Sequence, residues 1–205
     1  MATNSLEIKP VTLTGRVVRL EPLSEAHVPD LAVVGQDDSL WAYIPYPPVR
    51  SEADMRAWVR DMLQRQSRGA DLPFAVIDLA AGRAIGASRY LDIQPAHRAV
   101  EIGGSWYGRA YQRTAVNTET KYLLLRHAFD TLGCIRVQLK ADQRNRRSQR
   151  AIERLGAVRE GVLRHNLIMP DGHQRNSVYY SILAEEWPAV KARLEGLLGQ
   201  PGDGA

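Results

Sequence analysis

Residues 106–121, WYGRAYQRTAVNTETK, set a polar, arginine-bearing loop between an apolar strand and a long helix. Amide N–H groups at a helix start have no intrahelical partner and lie at the positive end of the helix dipole, so this junction suits an anion such as pyrophosphate. Arg109 and Arg113 can add charge there. A second basic stretch, NRRSQRAIERLGAVREGVLR at 145–164, carries Arg146, Arg147 and Arg150 around an apolar stripe of Ala151, Ile152 and Leu155. Guanidinium forks match phosphate geometry, and they serve equally well as a solvated helix face. The loop WAYIPYPPVRS packs three prolines and three aromatics and can either line a pocket or simply pack. The histidines, His27, His97, His127, His165 and His173, show no paired ligand spacing, so no metal site is expected. Cys134, the single cysteine, excludes an intrachain disulfide and a thiolate cluster and reads as a small buried residue at a strand start.

The elements that must position these groups follow from pattern. With 205 residues, 44% hydrophobic and 24% charged, the chain has the composition of one globular domain, taken as residues 1–198 with a flexible tail at 199–205. It has no run of about 18 apolar residues and no basic-then-apolar start, so the expectation is a cytoplasmic protein without a membrane span. VTLTGRVVRLEPL alternates as a strand does, and SEAHVPDLAVV follows with helical spacing and Ser24 as N-cap. Ser51 and Asp54 resemble a capping box that opens a helix over 52–67. LPFAVIDLAAGRAIGASRYLDI reads as two strands joined at AAGR, and RAVEIGGSWY as a third. A helix over 118–132 buries Leu124, Leu125, Ala128, Phe129 and Leu132 and ends at Gly133. Then come a strand at CIRVQLKA, a short helix at RRSQRAIERLG, two strands and a closing helix at EEWPAVKARLEGLL. The expected fold is α+β, a single mixed, mostly antiparallel central sheet with helices on both faces.

The run from VEIGGSWY to LGCIRVQLKADQRNRRSQRAIERLGAVREGVLR resembles the GNAT superfamily of acetyl-coenzyme A dependent N-acetyltransferases, in the RimJ/RimL-type branch. The likeness covers roughly residues 10–185. Its most specific part is Asn145, two residues, Ser148, an apolar helix, Leu-Gly, then a strand with Glu-Gly. The family's cofactor loop is usually Gln or Arg, two residues, Gly, one residue, then Gly or Ala. The matching positions here are Gln112, Arg113, Thr114, Ala115, Val116 and Asn117, followed by Thr118, so both small positions depart from the pattern. Ala115 keeps the N–H but loses glycine's freedom, and Asn117 is among the better non-glycine residues for a left-handed conformation or a helix cap. The resemblance implies acetyl-CoA as cofactor, with main-chain groups of Ser105, Trp106 and Tyr107 running beside the pantetheine arm as an added strand does. Asn145 would bond near the pantetheine, or else serve as a turn residue, and Arg150 would meet phosphate or stay in solvent. Glu101 is the implied general base, against an outward-facing strand glutamate. Ser148 is the implied donor to the departing thiolate, against a helix-capping hydroxyl, with Tyr107 or Tyr111 as substitutes. Trp41, Tyr43 and His165 are the acceptor-side candidates.

The resemblance therefore implies transfer of acetyl to a primary amine, either a protein or peptide N-terminus or a small molecule, with a homodimer as an open possibility. Two rivals remain at this level: a fold that binds acetyl-CoA without turnover, and a basic nucleic-acid or ribosome-binding protein. Glu153 and Glu160 interrupt the arginines and no aromatic stacking pattern accompanies them, which argues against nucleic acid.

Overall fold

The computed structural model describes residues 6–199. The alternating segments form strands β1 (Leu13–Thr14), β2 (Val18–Pro22), β3 (Leu72–Asp78), β4 (Arg83–Gln94), β5 (Ala99–Tyr107), β6 (Arg136–Asp142), β7 (Val158–Ile168) and β8 (Gln174–Leu183). They lie in one sheet of order β1-β2-β3-β4-β5-β6-β8-β7. β5 and β6 are parallel and every other neighbouring pair is antiparallel, so the mixed, mostly antiparallel sheet is as expected.

Alternation on the strands builds two cores. On one face α4 (Ala115–Arg126), α5 (Arg146–Leu155) and α6 (Trp187–Gly199) cover Phe74, Val76, Ile102, Leu139 and Tyr180. On the other, α1 (Val28–Gly35), α2 (Asp38–Trp41) and α3 (Glu52–Ser67) cover Ala75, Ile77, Ala87 and Trp106. Ser51 caps α3 as its sequence predicts, accepting from the Asp54 amide at 3.1 Å. Among the described residues no helix is long and apolar enough to cross a membrane.

Several boundaries differ from expectation, and the segment VTLTGRVVRLEPL, expected as one strand, folds back on itself as β1 and β2. α4 begins at Ala115 rather than 118, because Thr114 caps it through the Val116 amide. Its C-terminal end loosens into a π-turn at His127–Thr131, which keeps the apolar stripe running to Gly133, at φ +66°. Gly199 belongs to α6 rather than to a tail; the rest of the expected tail, 200–205, lies outside the described residues, as do residues 1–5 of the expected domain.

The feature that positions the site is a divergence in the sheet. β5 pairs with β6 only through Ala99, Val100 and Glu101, opposite Arg136, Val137 and Gln138. Beyond Glu101 the register between β4 and β5 slips, with Gly103 opposite Arg89 and Trp106 opposite Ala87, so Gly104 and Ser105 together face Ser88 and one extra residue bulges there. Gly104 sits at φ +59°, a conformation in which a Cβ would be strained and would press on the Arg89 guanidinium. β6 continues to Asp142 with β8 alone, and a cleft opens between the two strands.

Candidate active site

α4 starts at one end of this cleft. Thr114 takes the Val116 amide, which leaves Ala115 and Asn117 in the first turn without intrahelical acceptors for their N–H groups. Arg113, Thr114 and Ala115 are exposed, so this helix start is open to an anion. The left-handed residue of the loop is Arg113, at φ +61°, whereas Ala115 and Asn117 are ordinary helical residues. Asn117, though suited to a left-handed conformation or a cap, takes neither role, because Thr114 already supplies the cap. It follows that glycine is not needed at 115 or 117 for backbone reasons. Thr118 faces inward, 4% exposed, and its hydroxyl accepts from Arg154 at 2.9 Å.

Gln112 braces the loop from both ends. Its amide nitrogen donates to the Tyr107 carbonyl at 3.2 Å and its oxygen accepts from Arg147 at 2.6 Å. Arg147, rather than Arg150, therefore links α5 to the loop; Arg150 is exposed, away from this contact. Asn145 caps α5, its oxygen accepting from the Ser148 amide at 3.0 Å. The capping role falls to Asn145, and the half-buried Ser148 is held by its main chain rather than by its hydroxyl.

Ser105 points under the bulge, 2.7 Å from Ser88 Oγ and 2.5 Å from Lys121 Nζ. Lys121 is buried, and desolvation pulls its pKa down to about 7 against a partial opposing pull from Glu101. Tyr107 and Thr120 add two buried hydroxyls beside Ser105, and burial pushes the Tyr107 phenol well up, against a partial opposing pull from the Thr120 and Ser105 hydroxyls. Sequence reasoning missed Lys121, although it interrupts the stripe that continues through Leu124, Leu125 and Ala128.

Glu101 is not an outward-facing strand residue. It is 1% exposed, and its Oε2 accepts from Gln138 at 2.8 Å and from Lys140 at 3.1 Å, at the point where β5 and β6 part. Trp41 departs from the acceptor-side expectation. It is 2% exposed, donates to the Gly35 carbonyl and packs 5.3 Å from Trp106 and 6.1 Å from Trp58, so it is core. Trp106 shares that core, and its carbonyl lies against Gly86 of β4. Tyr43 is half-buried, its carbonyl accepting from Arg175 at 3.1 Å and its ring facing the Arg144 guanidinium. His165 is exposed on a β7 irregularity at φ +49°, its amide donating to Asn176. Cys134 is buried and its thiol is pushed up to about 11, which makes it inert as a nucleophile. No group of three or more His, Cys, Asp or Glu side chains among the described residues is placed to hold a metal ion.

Comparison with known proteins agrees with this fold. Residues 18–158 match the family described as "Acetyltransferase (GNAT) domain". A GCN5-related N-acetyltransferase from Brucella melitensis is 30% identical with a TM-score of 0.88, over 94% of this chain and 87% of that one. "Putative ribosomal N-acetyltransferase YdaF" of Bacillus subtilis (strain 168) is 31% identical over 100 residues, about half of each chain (49% of this one and 54% of that one). Mycobacterium smegmatis RimJ, solved with CoA-disulfide, shares the fold at 21% identity, with a TM-score of 0.79 over 92% of this chain and 95% of that one.

Proposed function

We propose, from the premise that the chain belongs to the GNAT family of acetyltransferases, that it transfers acetyl from acetyl-CoA directly to a primary amine, in the manner of the RimJ/RimL-type branch. The observation that carries this reading is the β5–β6 divergence with the open start of α4 at its end. The residues present fit the cofactor. The main chain of Ser105, Trp106 and Tyr107 would flank the pantetheine, and Arg113, Ala115 and Asn117 would receive the diphosphate. When bound, acetyl-CoA supplies the activated acetyl thioester.

The chain's own groups supply proton handling. A free α-amine titrates near pH 8, so a modest base suffices to keep it neutral. Glu101 stands at the mouth of the divergence, fixed by Gln138 and Lys140, and in this reading accepts the amine proton. Ser148, on the first turn of α5, returns a proton to the departing sulfur. A protein or peptide N-terminus is the favoured acceptor, supported by the half-length likeness to the Bacillus subtilis protein. The same reading places the chain in the cytoplasm and includes a homodimer, for which the exposed apolar side chains of edge strand β7, Val158, Leu163 and Ile168, offer a surface.

The test is release of free thiol from acetyl-CoA with panels of peptide and small amines. Amine-dependent release, with the acetyl group recovered on nitrogen, is the expected result. Thiol release that ignores the amine, or none with any amine, overturns the reading.

A further inference from the structure

One face of β6 and β8 carries a polar row, of which the mechanism leaves Arg175 and Ser177 unused. Arg175, Ser177, Tyr179 and Ser181 alternate on β8 beside Gln138, Lys140 and Asp142 of β6. Arg175 is 4% exposed and Ser177 is fully buried. Arg175 spends one Nη1 hydrogen on the Tyr43 carbonyl, and its Nε has no partner; neither does the Ser177 hydroxyl. The neighbouring carboxylates are committed elsewhere. Asp142 accepts from the Arg144 main chain and guanidinium, and Glu101 from Gln138 and Lys140. Arg175 makes no ion pair within 4.0 Å among the described residues.

A buried guanidinium with unused donors carries a desolvation cost that no full partner offsets. Burial accordingly pulls the Arg175 pKa down, and the charges of Asp142 and Glu101 offset that only in part. What such a fork fits is a carboxylate, bound through two parallel N–H donors. The place is suited to the acceptor. Arg175 lies where the aromatic loop meets the sheet, within the electrostatic reach of Glu101, and that loop is exposed over much of its length.

We propose that Arg175, with Ser177 beside it, receives a carboxylate carried by the amine acceptor, so that the chain selects amino acids or peptides with an acidic group close to the reacting nitrogen. This rests on the N-acetyltransferase reading above. Arg175 thereby sets specificity, and its hydrogen bond to the Tyr43 carbonyl links acceptor binding to the loop.

The experiment compares matched acceptors. Free amino acids are set against their amides, and peptides with Asp or Glu at the second position against the Asn or Gln versions, in wild type, R175Q, R175K and S177A. The acid should be preferred about tenfold or more in kcat/KM. R175Q should remove that preference through KM, R175K should retain part of it, and S177A should weaken it. The amino acid and peptide arms identify which source carries the carboxylate. A parallel calorimetric titration of the CoA-loaded protein with an N-acetylated acidic dipeptide and its amide reads the site without turnover. Equal handling of acid and amide, or a preference that survives in folded R175Q, overturns the proposal. Selective binding of the acidic dipeptide that R175Q abolishes, with no thiol release for any amine, keeps the anion site and overturns the transferase reading instead.

Discussion

Two oppositely charged groups are buried close to the β5 irregularity, and their burial gives each a measurable consequence. Lys121 carries a folded-state pKa of about 7 against an ordinary 10.5. Below about pH 7 it is charged in both states and the fold bears the full cost of its burial. Between about 7 and 10.5 the folded form is neutral while the unfolded form keeps its proton, so stability rises with pH across that window and levels off above it. The contribution reaches about 1.4 kcal/mol per pH unit, the value for one differential proton. Denaturant melts of wild type and K121M from pH 6 to 10 should show a rising difference attributable to this side chain; parallel curves would show that Lys121 stays charged. For Glu101 the expectation concerns rate. E101Q should lower kcat about 100-fold while leaving acetyl-CoA affinity within about twofold. Equal rates at all pH values would remove Glu101 as the base and leave it as the partner of Lys140.

At the scale of elements, α4 is fixed in place by a buried carboxylate rather than by its apolar stripe alone. Glu119, 3% exposed, accepts the amides of Arg16, Val17 and Val18 at 2.6–2.8 Å, joining the helix to the turn before β2. Gly15 lies so close that an added Cβ would fall 2.5 Å from the Glu119 carboxyl carbon. E119A leaves three amides without acceptors and should cost about 3–5 kcal/mol, read by chemical denaturation; a loss under about 1 kcal/mol would mean water replaces the carboxylate. Removing the cap on α5 is a smaller change. N145A should cost about 1 kcal/mol, and N145S should recover most of it. If N145S restores stability but not acetyl-CoA affinity, Asn145 also contacts the cofactor.

These elements differ in how far sequence exposes them. The Ser51 cap, the β3–β4 hairpin and the stripe of α4 follow from local spacing and stand where pattern puts them. The start of α4 at Ala115 is legible only when the cap is given to Thr114, a favoured N-cap residue, rather than to Asn117. Trp41 read as a pocket wall since an aromatic in a proline-rich loop looks exposed, and only packing on Trp58 and Trp106 from other elements makes it core. Lys121, Glu119 and Arg175 were illegible as site or anchor residues because each finds its environment across long sequence separations, 16 residues to Ser105, more than 100 to Val17, and 132 to Tyr43.

For the whole molecule, the sheet divides the labour. One face is closed by α4, α5 and α6, the other is closed by α1, α2 and α3 only over β3, β4 and β5, and the cleft lies where β5 and β6 separate. The central claim is that this cleft and the start of α4 together bind acetyl-CoA. Calorimetric titration of the purified protein with acetyl-CoA, with CoA and ATP as controls, tests it directly. Binding with a Kd on the order of micromolar, tighter for the acetylated form than for CoA and much weaker for ATP, is the predicted result. Absence of binding by acetyl-CoA and CoA alike would contradict the account.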